Sequence, residues 1–282
     1  MSVFRGQYYH TIDEKGRIVL PAKLRGVFKE KNALFAETLK NGGTIFVNND
    51  DPIIKYETRS VKRKITFGFK GKPNIKGKME GYTPEGRTKL SVEYLSKKVI
   101  ADLPLYGISN AKNTLASVGV AMHLGVPPSK IQKGISKVKQ VKGRLYVEPF
   151  ANLTLVDDTY NSNPASMEAA IDLLKKIKTY STKTLIVGDM FELGENAELI
   201  HAQLAQLILK SKIQNVLMHG KLMECLSSQL EEKNIYSKHF ATRRLLKVFI
   251  DENIFDNQVV LVKGSRGMRM EEFVEQIRSK AK

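Results

Sequence analysis

The sequence predicts an α/β protein whose C-terminal half is a doubly wound parallel sheet, and three observations predict it. Short apolar runs recur near residues 153–156, 184–187, 215–218 and 259–262, separated by helix-length stretches. Each run stops at a polar or glycine-containing turn, as in Asp157-Asp-Thr-Tyr-Asn-Ser-Asn-Pro164, Gly188-Asp-Met-Phe-Glu-Leu-Gly194 and Lys263-Gly-Ser-Arg-Gly267. Strands alternating with helices in this way form a sheet covered on both faces. The length of 282 residues and the hydrophobic content of 42% leave room for two domains with buried cores.

Composition narrows the partners without choosing one. A formal charge of +17, from 46 Lys+Arg against 29 Asp+Glu, favours anions such as nucleotides, nucleic acid or acidic membrane surfaces. The basic residues are spread as singles and pairs, which is also how an ordinary solvated surface reads. The single cysteine, Cys225, excludes an internal disulfide and a cysteine metal cluster, and its helical context predicts a buried face. The first residues lack the apolar core of a signal peptide and no run is long enough to span a membrane, so a cytoplasmic protein with no membrane span is expected.

In chain order, Phe4–Lys23 reads as a strand, a turn at Asp13-Glu-Lys-Gly16 and a second strand ending at Pro21, a hairpin with a basic tip. Residues Asp13, Lys15, Gly16, Arg17 and Pro21 resemble one copy of the repeat of the MraZ family, DNA-binding regulators with an AbrB-like swapped hairpin. That resemblance implies Lys15 and Arg17 as DNA contacts. The second copy of the repeat is absent from the sequence. Residues 26–40 then read as an amphipathic helix capped by Gly42-Gly43, Thr44–Val47 as a buried strand, and Asn48-Asn-Asp-Asp-Pro52 as a turn. Strand-like runs at 64–69, 74–79 and 88–92 predict a small antiparallel layer, and a helix is expected to open at Leu105.

That helix places Asn110 and Asn113 on one face at a spacing of three. Lys142-Gly-Arg144 puts a guanidinium after a turn, where it suits a terminal phosphate. Asp157-Asp-Thr-Tyr-Asn-Ser-Asn163 lies between a strand and a helix, with Asn163 as the N-cap and Pro164 in the first turn. Ligands of open α/β sheets sit at such carboxyl ends, and two carboxylates, a tyrosine and two amides make a lip suited to a ribose and a base. A solvated, well-capped loop is the plainer reading of the same residues.

The ordered set DDTYNSNPASM, GDMFELGE followed by His201, and VLVKGSRGMRMEE resembles the C-terminal domain of the MurF family, the UDP-N-acetylmuramoyl-tripeptide:D-alanyl-D-alanine ligases of the Mur ligase group. The resemblance implies ATP and Mg2+ as cofactors, with UDP-N-acetylmuramoyl tripeptide and D-alanyl-D-alanine as the partners to be joined through an acyl phosphate. It implies Asn110, Asn113, Arg144, Asp157, Asp158, Tyr160, Asn161 and Asn163 on the nucleotide side. Lys263, Ser265 and Arg266 fall on the side of the incoming dipeptide. Lys31 falls where the family carries a carbamylated, magnesium-holding lysine, so Lys31 and Arg144 are the catalytic candidates. Ser109 departs from the family, which has a histidine or aromatic residue there.

The division expected is a MraZ-like hairpin at 1–26, a remnant of the Mur ligase central domain at 27–147 and the C-terminal domain at 148–282. No Gly-x4-Gly-Lys-Ser/Thr phosphate loop occurs. The nearest string, Gly71-Lys-Pro-Asn-Ile-Lys-Gly-Lys-Met79, is one residue too long and ends on a methionine. The expectation is therefore a truncated MurF-type ligase, inactive alone, fused behind a MraZ-like hairpin. The competing expectation is a DNA-binding regulator fragment.

Overall fold

A computed structural model of the chain describes residues 33, 35–231, 233, 235–253 and 255–281. The expected basic hairpin with Lys15 and Arg17, and Lys31 of the expected first helix, lie outside the described residues. The helix containing residues 35–40 ends as expected, with the Gly43 amide reaching Thr38 O at 2.8 Å and the Gly42 amide reaching Leu39 O at 3.1 Å. Gly42 takes the left-handed conformation, φ +78, that this two-bond cap requires.

Two sheets follow. The first has the order β1 (Ile45–Asn48), β2 (Lys64–Gly68), β3 (Ile75–Tyr82), β4 (Arg87–Tyr94), β5 (Lys97–Tyr106). It is mixed, which corrects the antiparallel layer expected from sequence. β2 pairs in parallel with both β1 and β3, and only β3, β4 and β5 run antiparallel. The crossover from β1 to β2 contains helix α1 (Pro52–Glu57), started by Asp51, whose carboxylate accepts from the Ile53 and Ile54 amides. Helices α2 (Gly107–His123) and α3 (Pro128–Ile135) bury Leu115, Val118, Met122, Ile131 and Ile135 against this sheet.

Helix α2 begins at Gly107, because residues through Tyr106 extend β5, a strand not read from the sequence. Pro104 disguises it, and β5 can carry a proline because it is the sheet's last strand, with no ladder partner on its outer side.

The second sheet has the order β10 (Tyr236–Phe240), β9 (Asn215–His219), β8 (Thr182–Gly188), β11 (Gln258–Lys263), β7 (Leu153–Asp158), β6 (Tyr146–Pro149). All neighbours are parallel except β6, which runs antiparallel to β7. β7 and β11 are buried at every residue, as expected of inner parallel strands with covered faces. α4 (Pro164–Lys176), α5 (Ala197–Ser211) and α6 (Glu224–Glu231) contribute to the core on one face. On the other, α7 (Arg243–Glu252) and α8 (Glu271–Lys280) pack Leu246, Ile250, Phe273 and Ile277 against Leu155, Ile186 and Val260.

The sheets meet where α4 ends. The Lys178 amide donates to Pro84 O at 2.8 Å, and Lys176 Nζ donates to the Tyr82 hydroxyl at 2.7 Å. Gly86, at φ +86, lies so close that a Cβ there would stand 2.8 Å from the Ile177 side chain.

Candidate functional site

The carboxyl ends of β7 and β11 lie side by side, with Asp157 opposite Val262 and Asp158 opposite Lys263. Lys263 is 1% exposed. Its ammonium donates to Asp158 Oδ2 at 2.6 Å and to Asn161 O at 2.9 Å. Burial pushes the Asp158 carboxyl above its ordinary range, and the adjacent Lys263 charge opposes that rise.

Both aspartates turn inward. Asp158 Oδ1 accepts from the Leu145 amide at 3.0 Å, and Asp157 Oδ2 accepts from the Gly143 amide at 3.1 Å. The other oxygen of Asp157 accepts from the Thr159 hydroxyl at 2.6 Å. The Tyr160 amide donates to Gly143 O at 2.9 Å, closing the turn. Gly143 is required here: its φ is +76, and a Cβ would lie 3.3 Å from the Tyr160 nitrogen.

Arg144 is thus held by backbone bonds on both sides, and its guanidinium lies 3.9 Å above the Tyr160 ring. Asn161 and Asn163 serve the chain itself. Asn161 Oδ1 accepts from the Ser162 amide, and Asn163 forms a reciprocal cap with Ser166 at the start of α4. The expected N-cap is present, with Pro164 in the first turn.

Asn110, Asn113 and Arg144 come together although the sequence separates them. All three line a groove of about 510 Å³ whose walls include Thr114, Lys139 and the apolar Ile131 and Val118. Asn110 Nδ2 donates to Tyr106 O at 2.9 Å. The exposed Asn113 amide makes no side-chain hydrogen bond among the described residues. Apolar walls together with two asparagine side chains, Asn113 unengaged, and the cations Lys139 and Arg144 are chemically suited to a nucleotide. Asp157, Asp158, Asn161 and Asn163 do not line the groove.

The dipeptide-side candidates divide likewise. Ser265 is 2% exposed, its amide donating to Asp189 O at 3.0 Å and its hydroxyl accepting from the Phe191 amide at 2.8 Å. With Lys263 buried as well, only Arg266 reaches solvent, its side chain 68% exposed and 3.6 Å from Glu271.

His201 is fully buried beneath this loop. Its Nε2 accepts from the Met190 amide at 2.9 Å and its Nδ1 faces Ala197 O at 2.6 Å, so the proton sits on Nδ1. Burial lowers its pKa and keeps it neutral. Cys225 is half-buried rather than buried, and desolvation raises its thiol pKa, the opposite of a reactive cysteine.

Sequence reasoning missed Lys139 in the groove and the exposed Phe191 beside Ser265 and Gly267. Phe191 is 43% exposed, and a Cβ on Gly267 would stand 2.8 Å from its ring. A signal for Lys139 was present: no acidic residue occurs between Asp102 and Glu148. The phosphate-loop-like string at 71–79 is largely strand, with Ile75 fully buried and Gly77 pressed on Leu115, so it forms no cradle.

Comparison with known proteins accords with this architecture. Residues 22–121 match the Mur ligase middle domain, residues 143–266 the Mur ligase glutamate ligase domain, and residues 3–39 the MraZ protein. The UDP-N-acetylmuramoyl-tripeptide–D-alanyl-D-alanine ligase of Haemophilus influenzae is 32% identical over 266 residues, covering 92% of this chain and 56% of that protein. The Escherichia coli enzyme of the same description is 31% identical over 258 residues, covering 89% and 55%. The chain spans about half the length of the curated relatives it matches.

Among solved structures, MurF of Acinetobacter baumannii superposes with a TM-score of 0.72 at 24% identity, over 84% of this chain and 52% of that one. MurF of Thermotoga maritima in complex with ADP gives 0.70 at 24%, over 84% and 53%. At that identity the likeness establishes the fold. Residues 22–266 therefore belong to the Mur ligase family, as middle and C-terminal domains of the MurF type.

Proposed function

We propose that this chain carries the nucleotide-facing and acceptor-facing half of a peptidoglycan-precursor ligase, one that joins D-alanyl-D-alanine to a UDP-N-acetylmuramoyl tripeptide at the expense of ATP. The observation that carries the reading is the convergence of Asn110, Asn113 and Arg144 on one groove from two separate stretches of sequence. ATP, when bound, supplies the phosphoryl group that activates a carboxylate. The chain's own residues bind and orient it: the asparagine amides face the base, and Lys139 and Arg144 face the phosphates. Asp157 and Asp158 act one step back, by holding the amides on either side of Arg144.

The division into 1–26, 27–147 and 148–282 belongs to the same proposal. The inner boundary falls inside β6, so Tyr146 and Val147 go with the second sheet. On the acceptor side Arg266, exposed and only loosely held by Glu271, is the residue able to meet a carboxylate, while Lys263 and Ser265 shape the loop beneath it.

Magnesium has no donor set among the described residues, where no group of three or more His, Cys, Asp or Glu could hold a metal ion. The 282 residues contain no phosphate loop of the usual form. We infer that the polypeptide binds nucleotide but does not turn over unaided.

Calorimetric titration with ATP and with adenosine tests the site. Arg144→Ala should weaken ATP more than adenosine, because the guanidinium meets phosphate, whereas Asn113→Leu should weaken both by a similar factor. ATP affinity indifferent to both substitutions overturns the assignment.

A further inference from the structure

We propose that the outer face of α3 and the segment that follows it dock on an anionic lipid surface. Between Asp102 and Glu148 the chain has no acidic residue, yet it carries Lys112, Lys130, Lys133, Lys137, Lys139, Lys142 and Arg144. The last six fall within residues 130–144 and all are exposed. Among the described residues none of them makes an ion pair.

The helix sets their direction. Ile131 and Ile135 are its buried residues, so Lys130 and Lys133 stand on the side away from the core, and Lys137 lies in the turn that follows the helix. Lys130, Lys133, Lys137 and Lys142 do not line the groove that holds Lys139 and Arg144, so the nucleotide reading does not account for them. Glu275 is near enough to Lys142 to feel its charge, while the remaining like charges repel one another, a cost that an anionic partner or salt relieves.

The chemistry of the strip selects the partner. Four to eight basic residues on or beside an amphipathic helix attract acidic headgroups at about 1 kcal/mol each, roughly fivefold in affinity per residue. Val138 and Val141, 44% and 59% exposed, alternate with the lysines in sequence but line the groove, so the strip's attraction to a headgroup layer rests on its charge. Nucleic acid fits less well. No aromatic ring lies between His123 and Tyr146 on which bases could stack. The strip has a single arginine, Arg144, which the nucleotide groove already claims, and arginine is the residue that most often reads a guanine edge. Lysines are point charges suited to a diffuse anionic plane.

The test is flotation of the full chain with vesicles of phosphatidylcholine alone and of phosphatidylcholine with phosphatidylglycerol. The combined variant Lys130→Gln, Lys133→Gln, Lys137→Gln, Lys142→Gln is compared after matching its melting curve, with Lys130→Glu, Lys133→Glu as the second variant should the first misfold. The wild-type chain should float with the acidic vesicles only, less so as salt rises, and the variant should bind at least tenfold more weakly while keeping its ATP affinity. No flotation, equal binding to both vesicle types, or binding unchanged in the variant overturns the proposal. So does tighter retention on a DNA duplex that is lost with the same four lysines.

Discussion

Asp158 and Lys263, side by side at the ends of two parallel strands and 105 residues apart in sequence, form an ion pair of 2.6 Å. The lysine is 1% exposed and the carboxylate also binds the Leu145 amide. The pair therefore couples β11 to the turn that presents Arg144. Removing one partner strands the other charge in the core, which costs about 3–5 kcal/mol, whereas removing both charges together is often close to neutral. Lys263→Met should destabilise by that amount, and adding Asp158→Asn should recover at least half. Denaturant melts of the two variants check this; a double variant no more stable than the single one refutes the coupling.

Lys183 lies at the opposite end of the sheet and donates to Ile177 O at 2.7 Å and Tyr180 O at 2.5 Å. Burial, with Lys178 nearby, lowers its pKa from 10.5 to about 8. A lowered lysine pKa means that the unfolded chain binds more protons between those two values, so folding gains stability as pH rises through that window. Compared with Lys183→Met, the wild-type chain should become relatively more stable from pH 8 to pH 10. Paired melts across that range decide it, and a flat difference contradicts the shift.

Tyr160 supports Arg144 through its ring face, 3.9 Å from the guanidinium. A half-exposed cation–π contact contributes on the order of 0.5–1 kcal/mol. Tyr160→Phe should keep ATP affinity and Tyr160→Leu should lose it by roughly two- to fivefold. Equal affinity in all three proteins means that the ring does not orient the guanidinium.

Catalysis of phosphoryl transfer rests on neutralising charge over the γ-phosphate oxygens, and loss of one such contact costs roughly 10²–10³ in rate. With no phosphate-loop lysine and hydroxyl in its sequence, this polypeptide should release no phosphate above background with ATP, magnesium, a UDP-muramoyl tripeptide and D-alanyl-D-alanine present. Turnover that disappears in Arg144→Ala would falsify the expectation.

Residues 143–282 should melt cooperatively as a separate polypeptide, because they contain the whole second sheet with helices on both faces. Gly86→Val in the full chain should weaken the contact with Ile177 and hasten proteolytic release of this part. Cleavage that destroys the C-terminal half first contradicts both expectations.

What the sequence made legible follows burial. The inner strands β7, β8, β9 and β11 are apolar runs bounded by turn residues and can be read directly. The strands not read, β5, β6 and β10, are all sheet edges. Partly solvated, they mix exposed and buried residues without the inner strands' continuous apolar signal, and β5 carries Pro104 as well.

The same contrast runs through the site. Local chemistry alone determined the Asn163–Pro164 helix start, the Gly42–Gly43 stop and the order of the strand-end motifs, since each depends on neighbours a few residues away. Only the tertiary structure decided that Asp157 and Asp158 face inward to hold the Arg144 turn, that Lys263 is spent on Asp158, and that Asn110 and Asn113 share a groove with Arg144. A carboxylate at the end of a buried strand must find donors once water is excluded. Those donors come from the turn before β6, through the Gly143 and Leu145 amides, and from Lys263 of β11, about a hundred residues away, and no local pattern names them.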